Sequence, residues 1–204
     1  FHEELVFDEL CPGLHGSAQN EHVIAFGCTD GVLVINQQDE TFTASKIANT
    51  DDFSGTMRIG TLVGAEYAEH LVGFAGASMF AIHAEDGEME LVDWQGTEGA
   101  SLVGYGFADG GEKFVLLDNQ GYLTILNYHG HGHGHEHEGA AEEPAFEIAG
   151  KVQLTEADVS TMPEGSRFEL AISASDDKVY VTNPIDNTLL TVDIADAAVV
   201  ATKQ

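Results

Sequence analysis

The feature that most constrains the fold is a two-strand pattern that recurs four times along the chain. Short apolar runs begin at positions 22, 70, 113 and 178, and each is followed by a turn and a second apolar run. Their spacing of about 45 residues, lengthened once where a His-rich segment is inserted, is the period of a four-stranded propeller blade. Helical periodicity is weak throughout. The sequence therefore predicts an all-β fold, a β-propeller with about four blades in this chain.

Two arrangements of these blades fit the pattern. One is a closed ring of four blades, and the other is part of a larger propeller of about seven or eight blades. We prefer the second, because residues 1–8 resemble the outermost strand of a blade whose first three strands are absent. On this interpretation residues 1–204 belong to a single propeller domain, which a missing N-terminal propeller segment completes.

The charge of the chain excludes two classes of partner. Its 204 residues carry 35 acidic and 7 basic side chains, a formal net charge of −28 at pH 7. Such a surface repels phosphate backbones and anionic lipids, and it raises the local concentration of cations. No apolar run approaches the ~18 residues that a membrane span needs. We therefore expect no nucleic-acid binding and no membrane insertion.

The chain has two cysteines, Cys11 and Cys28. Cys11 precedes a turn-forming Pro-Gly pair and Cys28 ends the next apolar run, so two strands paired through a short loop would bring the sulfurs together. We predict a structural disulfide, which implies an oxidising compartment such as the periplasm or the secreted space. The alternative is two free thiols, one of them a metal ligand, although no CxxC spacing supports it.

A His-rich tract at residues 129–137 indicates the kind of ligand. Its histidines alternate with glycine and glutamate; they are His129, His131, His133, His135 and His137. Neutral imidazole binds zinc, copper and nickel, and the glycines let several rings converge on one ion. Because the tract has no apolar residue to bury, residues 129–143 are predicted to be a flexible insertion between the third and fourth strands of a blade. The alternative is a solvated linker without function.

His15 and His22 are predicted to contribute to a second, fixed metal site. We expect His15 near the end of a first strand and His22 at the start of a second strand. Zinc usually takes four ligands, so these two side chains would supply half of a site if the loop between them folds back. All ten histidines are expected toward one face of the blades. We expect His70 and His83 to be structural, because a lone His on a strand is usually just hydrogen-bonded.

Together these elements resemble the AztD family of periplasmic zinc metallochaperones. The resemblance rests on the segments Cys11–Gly16 and Phe26–Val32, on the tract at 129–137 and on the blade pattern. It implies zinc as the metal, a fixed zinc site that includes His15, and capture or transfer of the ion by the loop. It also implies a longer single propeller and delivery of zinc to the solute-binding protein of a zinc ABC transporter.

The residues and the resemblance favour a carrier that passes zinc on by ligand exchange. Two other functions fit the sequence: a passive zinc buffer with the same ligands, and a metal-independent propeller that recruits other proteins. The chain contains no G-x-S-x-G elbow, H-E-x-x-H motif, phosphate-binding loop or dinucleotide fingerprint. We therefore do not expect an enzyme.

Overall fold

The computed structural model describes residues 6–38, 41–53, 57–130, 144–174 and 176–204. Over these residues the chain forms sixteen β-strands and two short 3₁₀ turns, Asp109–Gly111 and Val159–Thr161. Neither turn, nor any other described segment, is a helix long and apolar enough to cross a membrane. The expected all-β fold is confirmed.

The strands form four antiparallel sheets, each built from four strands that are consecutive in the chain. The first sheet contains β1 (His15–Gln19), β2 (Val23–Cys28), β3 (Gly31–Gln38) and β4 (Thr41–Ala48). The second contains β5 (Thr61–Val63), β6 (Leu71–Ala75), β7 (Ser78–His83) and β8 (Glu88–Val92). The third contains β9 (Leu102–Ala108), β10 (Lys113–Asp118), β11 (Tyr122–Tyr128) and β12 (Phe146–Gln153). The fourth contains β13 (Glu169–Ile172), β14 (Lys178–Asn183), β15 (Thr188–Asp193) and β16 (Ala198–Lys203).

Every strand pairs with the next strand of its sheet, which is the meander of a propeller blade. The second strands begin at Val23, Leu71, Lys113 and Lys178, at or one residue after the starts expected from the sequence. The pattern of four blades is therefore confirmed. The expected outer strand over residues 1–8 is wrong for residues 6–8, which are not in a strand, while residues 1–5 lie outside the described residues.

The chain divides into two compact units, Phe1–Val92 and Asp93–Gln204. The first unit holds the first and second sheets, and β1 lies beside β5, so the innermost strands of its two sheets are neighbours. Its core is made by β-branched and aliphatic side chains such as Val32, Val34 and Ile82. From Val23 to Phe26 in β2 the buried and half-buried residues alternate, because successive side chains of a strand point to opposite faces.

The second unit holds the third and fourth sheets, and here β9 lies beside β13. Val115, Leu117 and Ile125 from the third sheet belong to one core cluster with Val179 and Val181 from the fourth. All five side chains are fully buried. Each unit therefore buries the facing surfaces of two blades, which a single blade cannot do by itself.

Candidate metal site around His15

A disulfide anchors the chain just before β1. Cys11 and Cys28, 17 positions apart in the sequence, are bonded, and their Cα atoms are 5.1 Å apart. Cys28 is the last residue of β2 and is fully buried. The bond therefore ties the segment in front of β1 to the buried end of the neighbouring strand. The disulfide predicted from the sequence is confirmed.

The residues around Cys11 and up to β1, Leu10–Leu14, form a loop whose carbonyl groups accept hydrogen bonds from other segments; we call it the clamped loop. Lys46 Nζ donates to Leu10 O over 2.6 Å and also forms an ion pair with Asp30 at 2.6 Å. The backbone N–H and the hydroxyl of Thr29 both donate to Pro12 O, at 2.9 and 3.2 Å. These contacts fix the path of the clamped loop over the turn between β2 and β3.

Two glycines allow the tight path that follows. Gly13 has φ 61°, and a Cβ there would lie 2.7 Å from the methyl group of Thr29. Arg58 Nη1 donates to Gly13 O over 3.2 Å, so a side chain from the connection before β5 also holds the loop. Gly16 has φ 71°, and the pairing of β1 with β2 is irregular between His15 and Ser17. Such irregularities re-aim the side chains beside them.

The His15 side chain is exposed and is held in one orientation. Its Nδ1 lies 2.7 Å from Gly60 O, and the Gly60 N–H in turn donates to Phe74 O over 2.9 Å. A carbonyl oxygen can only accept, so Nδ1 must carry the proton in this contact. In the neutral ring Nε2 then holds the lone pair. Metal-binding histidines commonly donate their other N–H to a backbone carbonyl in this way, so His15 has the arrangement of a candidate metal ligand.

The structure does not bring His15 and His22 together. His15 pairs with Gly27 at one end of the β1–β2 hairpin, whereas Gln19 pairs with Ile24 at the other end, next to His22. Five steps along a strand cover roughly 16 Å, while zinc–nitrogen bonds are about 2.0–2.1 Å long. The expectation that the two rings share one ion is therefore wrong, because β1 is extended rather than folded back.

His15 also differs from the other described histidines in where it lies on its sheet. It is the first residue of β1, not a residue near the end of that strand as expected. His22 and His70 directly precede β2 and β6, His83 ends β7, and His129 directly follows β11. Each of these four histidines lies at the end of its sheet at which the first strand of that sheet terminates, whereas His15 lies at the opposite end of its own sheet. The expectation of one common face is thus wrong for His15.

The His-rich tract lies in the connection between β11 and β12. At the start of this connection the His129 N–H donates to Ala145 O over 2.9 Å, and His129 Nε2 is 3.7 Å from Glu147 Oε2. The remaining predicted ligands lie outside the described residues; they are His131, His133, His135 and His137. Their role as ligands stays a prediction.

His70 and His83 form a separate pair in the second sheet. Their ring centroids are 4.1 Å apart, and His83 Nε2 lies 3.6 Å from Glu90 Oε2. His70 is buried. The pair joins the start of β6 to the end of β7, which agrees with a structural role. Over the part of the chain that the structure describes, no three His, Cys, Asp or Glu side chains are grouped to hold a metal ion.

Sequence reasoning missed the residues that position His15. Arg58, Lys46 and Gly60 each contact the clamped loop or the His15 ring. Lys46 and Arg58 lie 36 and 45 positions from the carbonyls to which they donate. One signal in the sequence could have pointed to them: the chain has only seven Lys and Arg residues, and two of these donate hydrogen bonds to the clamped loop.

Comparison with known proteins defines the class of this fold. No family model and no curated protein sequence matches the chain. The β-propeller domain of Myceliophteria thermophila Cps50 (Swd1) superposes with a TM-score of 0.54 at 13% identity, covering 89% of this chain and 57% of that one. Together with the four meandering sheets, this likeness shows that the chain is a β-propeller built from four-stranded blades.

The chain is also similar to AztD from Citrobacter koseri. The structure of apo AztD superposes with a TM-score of 0.72 at 20% identity, covering 98% of this chain and 49% of AztD. A second crystal structure of Citrobacter koseri AztD gives a TM-score of 0.70 at 18% identity, with coverages of 97% and 48%. The chain thus spans about half the length of the AztD chain, and the shared feature is the propeller fold.

Proposed function

We propose that this chain is a zinc carrier of the AztD family that works in the periplasm and delivers zinc to the solute-binding protein of a zinc ABC transporter. The observation that carries the proposal is the His15 imidazole, which is exposed and whose proton is held on Nδ1 by Gly60 O. The likeness to AztD over nearly the whole chain supports it. The disulfide supports a compartment that is oxidising.

In this proposal His15 is a fixed ligand of the zinc ion, and we call the zinc-binding position at His15 the seat. Its Nε2 supplies one ligand, and the remaining coordination positions are filled by water or by ligands of the acceptor. A structural zinc site has four protein ligands and holds its ion permanently. A site with one fixed imidazole leaves most coordination positions of the ion open to ligand exchange. Such a site suits an ion that is transferred to another protein.

The tract at 129–137 captures zinc separately from the seat. Its five imidazoles bind zinc with little geometric demand, because glycine separates most of them. Transfer is then a series of ligand exchanges, in which ligands of the acceptor replace the imidazoles that hold the ion on this chain. His22 is a separate, exposed contact for metal and is not a partner of His15 at the seat.

The net charge of −28 contributes at long range. A strongly negative surface raises the local concentration of divalent cations, and it speeds association with a protein that presents a positive surface. The acceptor in this proposal therefore has a basic rim around its zinc site.

Zinc titration by calorimetry tests the seat. The proteins compared are the wild type without a purification tag, His15→Ala, His22→Ala and a variant lacking residues 129–137. We expect His15→Ala to weaken the tighter site by at least about tenfold, since it removes a ligand. His22→Ala is the matched control, because it also removes one exposed imidazole, at the other end of the hairpin. Equal losses in the two variants would show that His15 is not a specific seat.

Transfer kinetics distinguish a carrier from a buffer. Zinc-loaded protein is mixed in a stopped-flow instrument with a purified zinc-specific solute-binding protein, and then with a fluorescent chelator. A carrier transfers zinc to the solute-binding protein faster than zinc dissociates into solution, and loss of residues 129–137 slows that step. Transfer at the dissociation rate would indicate a passive buffer, and absence of zinc binding in every form would favour a metal-independent scaffold.

A further inference from the structure

A cavity of about 470 Å³ opens in the second unit, away from the residues assigned to zinc. One wall is the turn between β10 and β11, and the other is the connection between β12 and β13. Sites for small molecules commonly have volumes of roughly 300–1,000 Å³. The cavity is therefore large enough for an organic ligand, and it shares no residue with the clamped loop.

The wall at the β10–β11 turn is held by a buried carboxylate. Asp118 accepts hydrogen bonds from the backbone N–H of Gln120 at 2.9 Å and from the Thr97 hydroxyl at 2.7 Å. Asn119, which lines the cavity, exchanges two hydrogen bonds with the backbone of Ser101. These contacts fix the turn independently of any ligand.

The opposite wall is a short 3₁₀ turn with its own cap. The Asp158 carboxylate accepts from the Ser160 N–H at 2.9 Å, and the Met162 N–H donates to Val159 O at 3.1 Å. Both walls are thus ordered in advance, so a ligand would lose little binding free energy to ordering the protein. The same Ser160 N–H holds the pKa of Asp158 below its ordinary value, so this carboxylate is charged at neutral pH.

The lining combines an apolar patch with two opposite charges. Val159 and Met162 are half-buried and supply the apolar patch, while two further lining residues, Asp158 and Arg167, are exposed and charged. Arg167 is one of seven bases in the chain, and its Nε lies 3.5 Å from Glu169 Oε1. Among the lining residues, Asp158 and Arg167 are the ones with an ionised side chain at neutral pH.

The electrostatic field of the whole chain restricts the net charge of a ligand that this cavity can attract. A net charge of −28 repels free anions at long range, although Arg167 favours a carboxylate locally. A zwitterion has no net charge, so it escapes that repulsion, and it can place its two charges near groups of opposite sign. We infer that this cavity binds a small zwitterion with an apolar body, such as an apolar α-amino acid. Its carboxylate lies toward Arg167, its ammonium toward Asp158, and its side chain against Val159 and Met162.

Three related probes test the charge requirement by calorimetry with the full chain: L-phenylalanine, L-phenylalaninamide and N-acetyl-L-phenylalanine. The amide lacks the carboxylate and the acetyl derivative lacks the ammonium, so each should bind at least about tenfold more weakly than the amino acid. Equal binding of all three would overturn the inference, because the apolar patch alone would then explain it. Absence of phenylalanine binding up to its solubility would also overturn it.

Variants locate the binding within the molecule. Arg167→Gln should weaken phenylalanine binding about tenfold or more, whereas Lys203→Gln, which removes an equal charge from β16, should leave it unchanged. Asp158→Asn keeps an oxygen that caps the 3₁₀ turn and should weaken binding to a similar extent. Glu169→Gln should strengthen binding, because it removes the competing carboxylate beside Arg167. Equal affinities for Arg167→Gln and Lys203→Gln would refute the assignment.

Discussion

At the scale of single residues, two of the few bases in this chain donate hydrogen bonds to backbone carbonyl oxygens and do not only pair with acidic side chains. Lys46 and Arg58 donate to Leu10 O and Gly13 O, so positive charge lies along the clamped loop in an otherwise strongly acidic chain. Hydrogen bonds from charged donors are stronger than neutral ones. His15 therefore directly follows a loop whose path is fixed by charged donors.

Asp109 is a second residue whose surroundings change its properties, in this case the pKa of its carboxyl group. Burial raises its pKa above the ordinary value of 3.8, and a hydrogen bond to Asp177 with the negative charges of Asp177 and Glu112 raises it further. The folded state therefore binds more protons than the unfolded state between the two pKa values. The free energy of unfolding therefore falls as pH rises through that window. At neutral pH Asp109 is charged, and the full destabilisation of the folded state by this charge is present.

Asp109→Asn should accordingly raise the free energy of unfolding at pH 7. The advantage over the wild type should shrink as pH falls through the pKa of the folded state and level off near pH 3.8. Asparagine also tolerates the positive φ of 52° at this position. Urea denaturation between acidic and neutral pH measures the effect, and removal of an equal charge at exposed Glu156 gives the contribution of net charge alone. A pH-independent difference would contradict this linkage.

At the scale of elements, hairpins and their anchors decide where the strands lie. β2 and β3 are joined by a two-residue turn, and the disulfide and the clamped loop both attach to this hairpin. Gly31 opens β3 with φ 144°, and a Cβ there would overlap Ile47 O on β4. The first blade is thus held by a covalent bond on one side and a close backbone approach on the other.

Gly31→Ala should lower the free energy of unfolding by about 3 kcal/mol, because both the backbone conformation and the contact with Ile47 O are then strained. Gly87→Ala is the matched control. Gly87 also has a positive φ, 74°, but has no atom within 4 Å of an added Cβ. Its loss should be about 1 kcal/mol, from the backbone alone. Equal losses in urea denaturation would show that the close approach at Gly31 is unimportant.

Removal of the disulfide should act on stability and on the seat together. In the Cys11→Ala, Cys28→Ala double variant, release of a loop of this length should lower the free energy of unfolding by about 3 kcal/mol. Zinc affinity at His15 should also fall, because the clamped loop loses its covalent anchor. Denaturation and calorimetry on the same preparation measure both effects. A stable protein with unchanged zinc affinity would show that the hydrogen bonds alone position the loop.

At the scale of the whole molecule, the repeated blade and the net charge act in opposite directions. Each unit buries the facing surfaces of two sheets, which stabilises it, whereas 35 acidic side chains against 7 basic ones repel one another. Self-repulsion of this kind destabilises compact states while keeping them soluble.

Salt should therefore stabilise the protein at neutral pH. Raising the ionic strength from about 0.01 to about 0.15 M shortens the screening length from roughly 30 to roughly 8 Å, so the melting temperature should rise. Near the sequence pI of 4.3 the net charge is small and the same change should have little effect. Thermal scans at the two pH values test this, and a melting temperature independent of salt at neutral pH would contradict it.

The sequence by itself determined the blades and the disulfide. Strand patterns are local, since alternation of apolar and polar side chains within a few residues decides which face is buried. The second strands were therefore placed within one residue. β1 was placed less well because His15–Gln19 contains no large apolar residue, so nothing local marks where that strand begins.

Only the tertiary structure decided the geometry of the sites. His15 and Gly60 are 45 positions apart, and their hydrogen bond joins the first sheet to the residue that precedes β5 in the second. The cavity in the second unit likewise depends on a turn and a connection that are distant in sequence. Composition supplies imidazoles, carboxylates and bases, but their partners are set by the packing of one blade against the next, which no local pattern encodes.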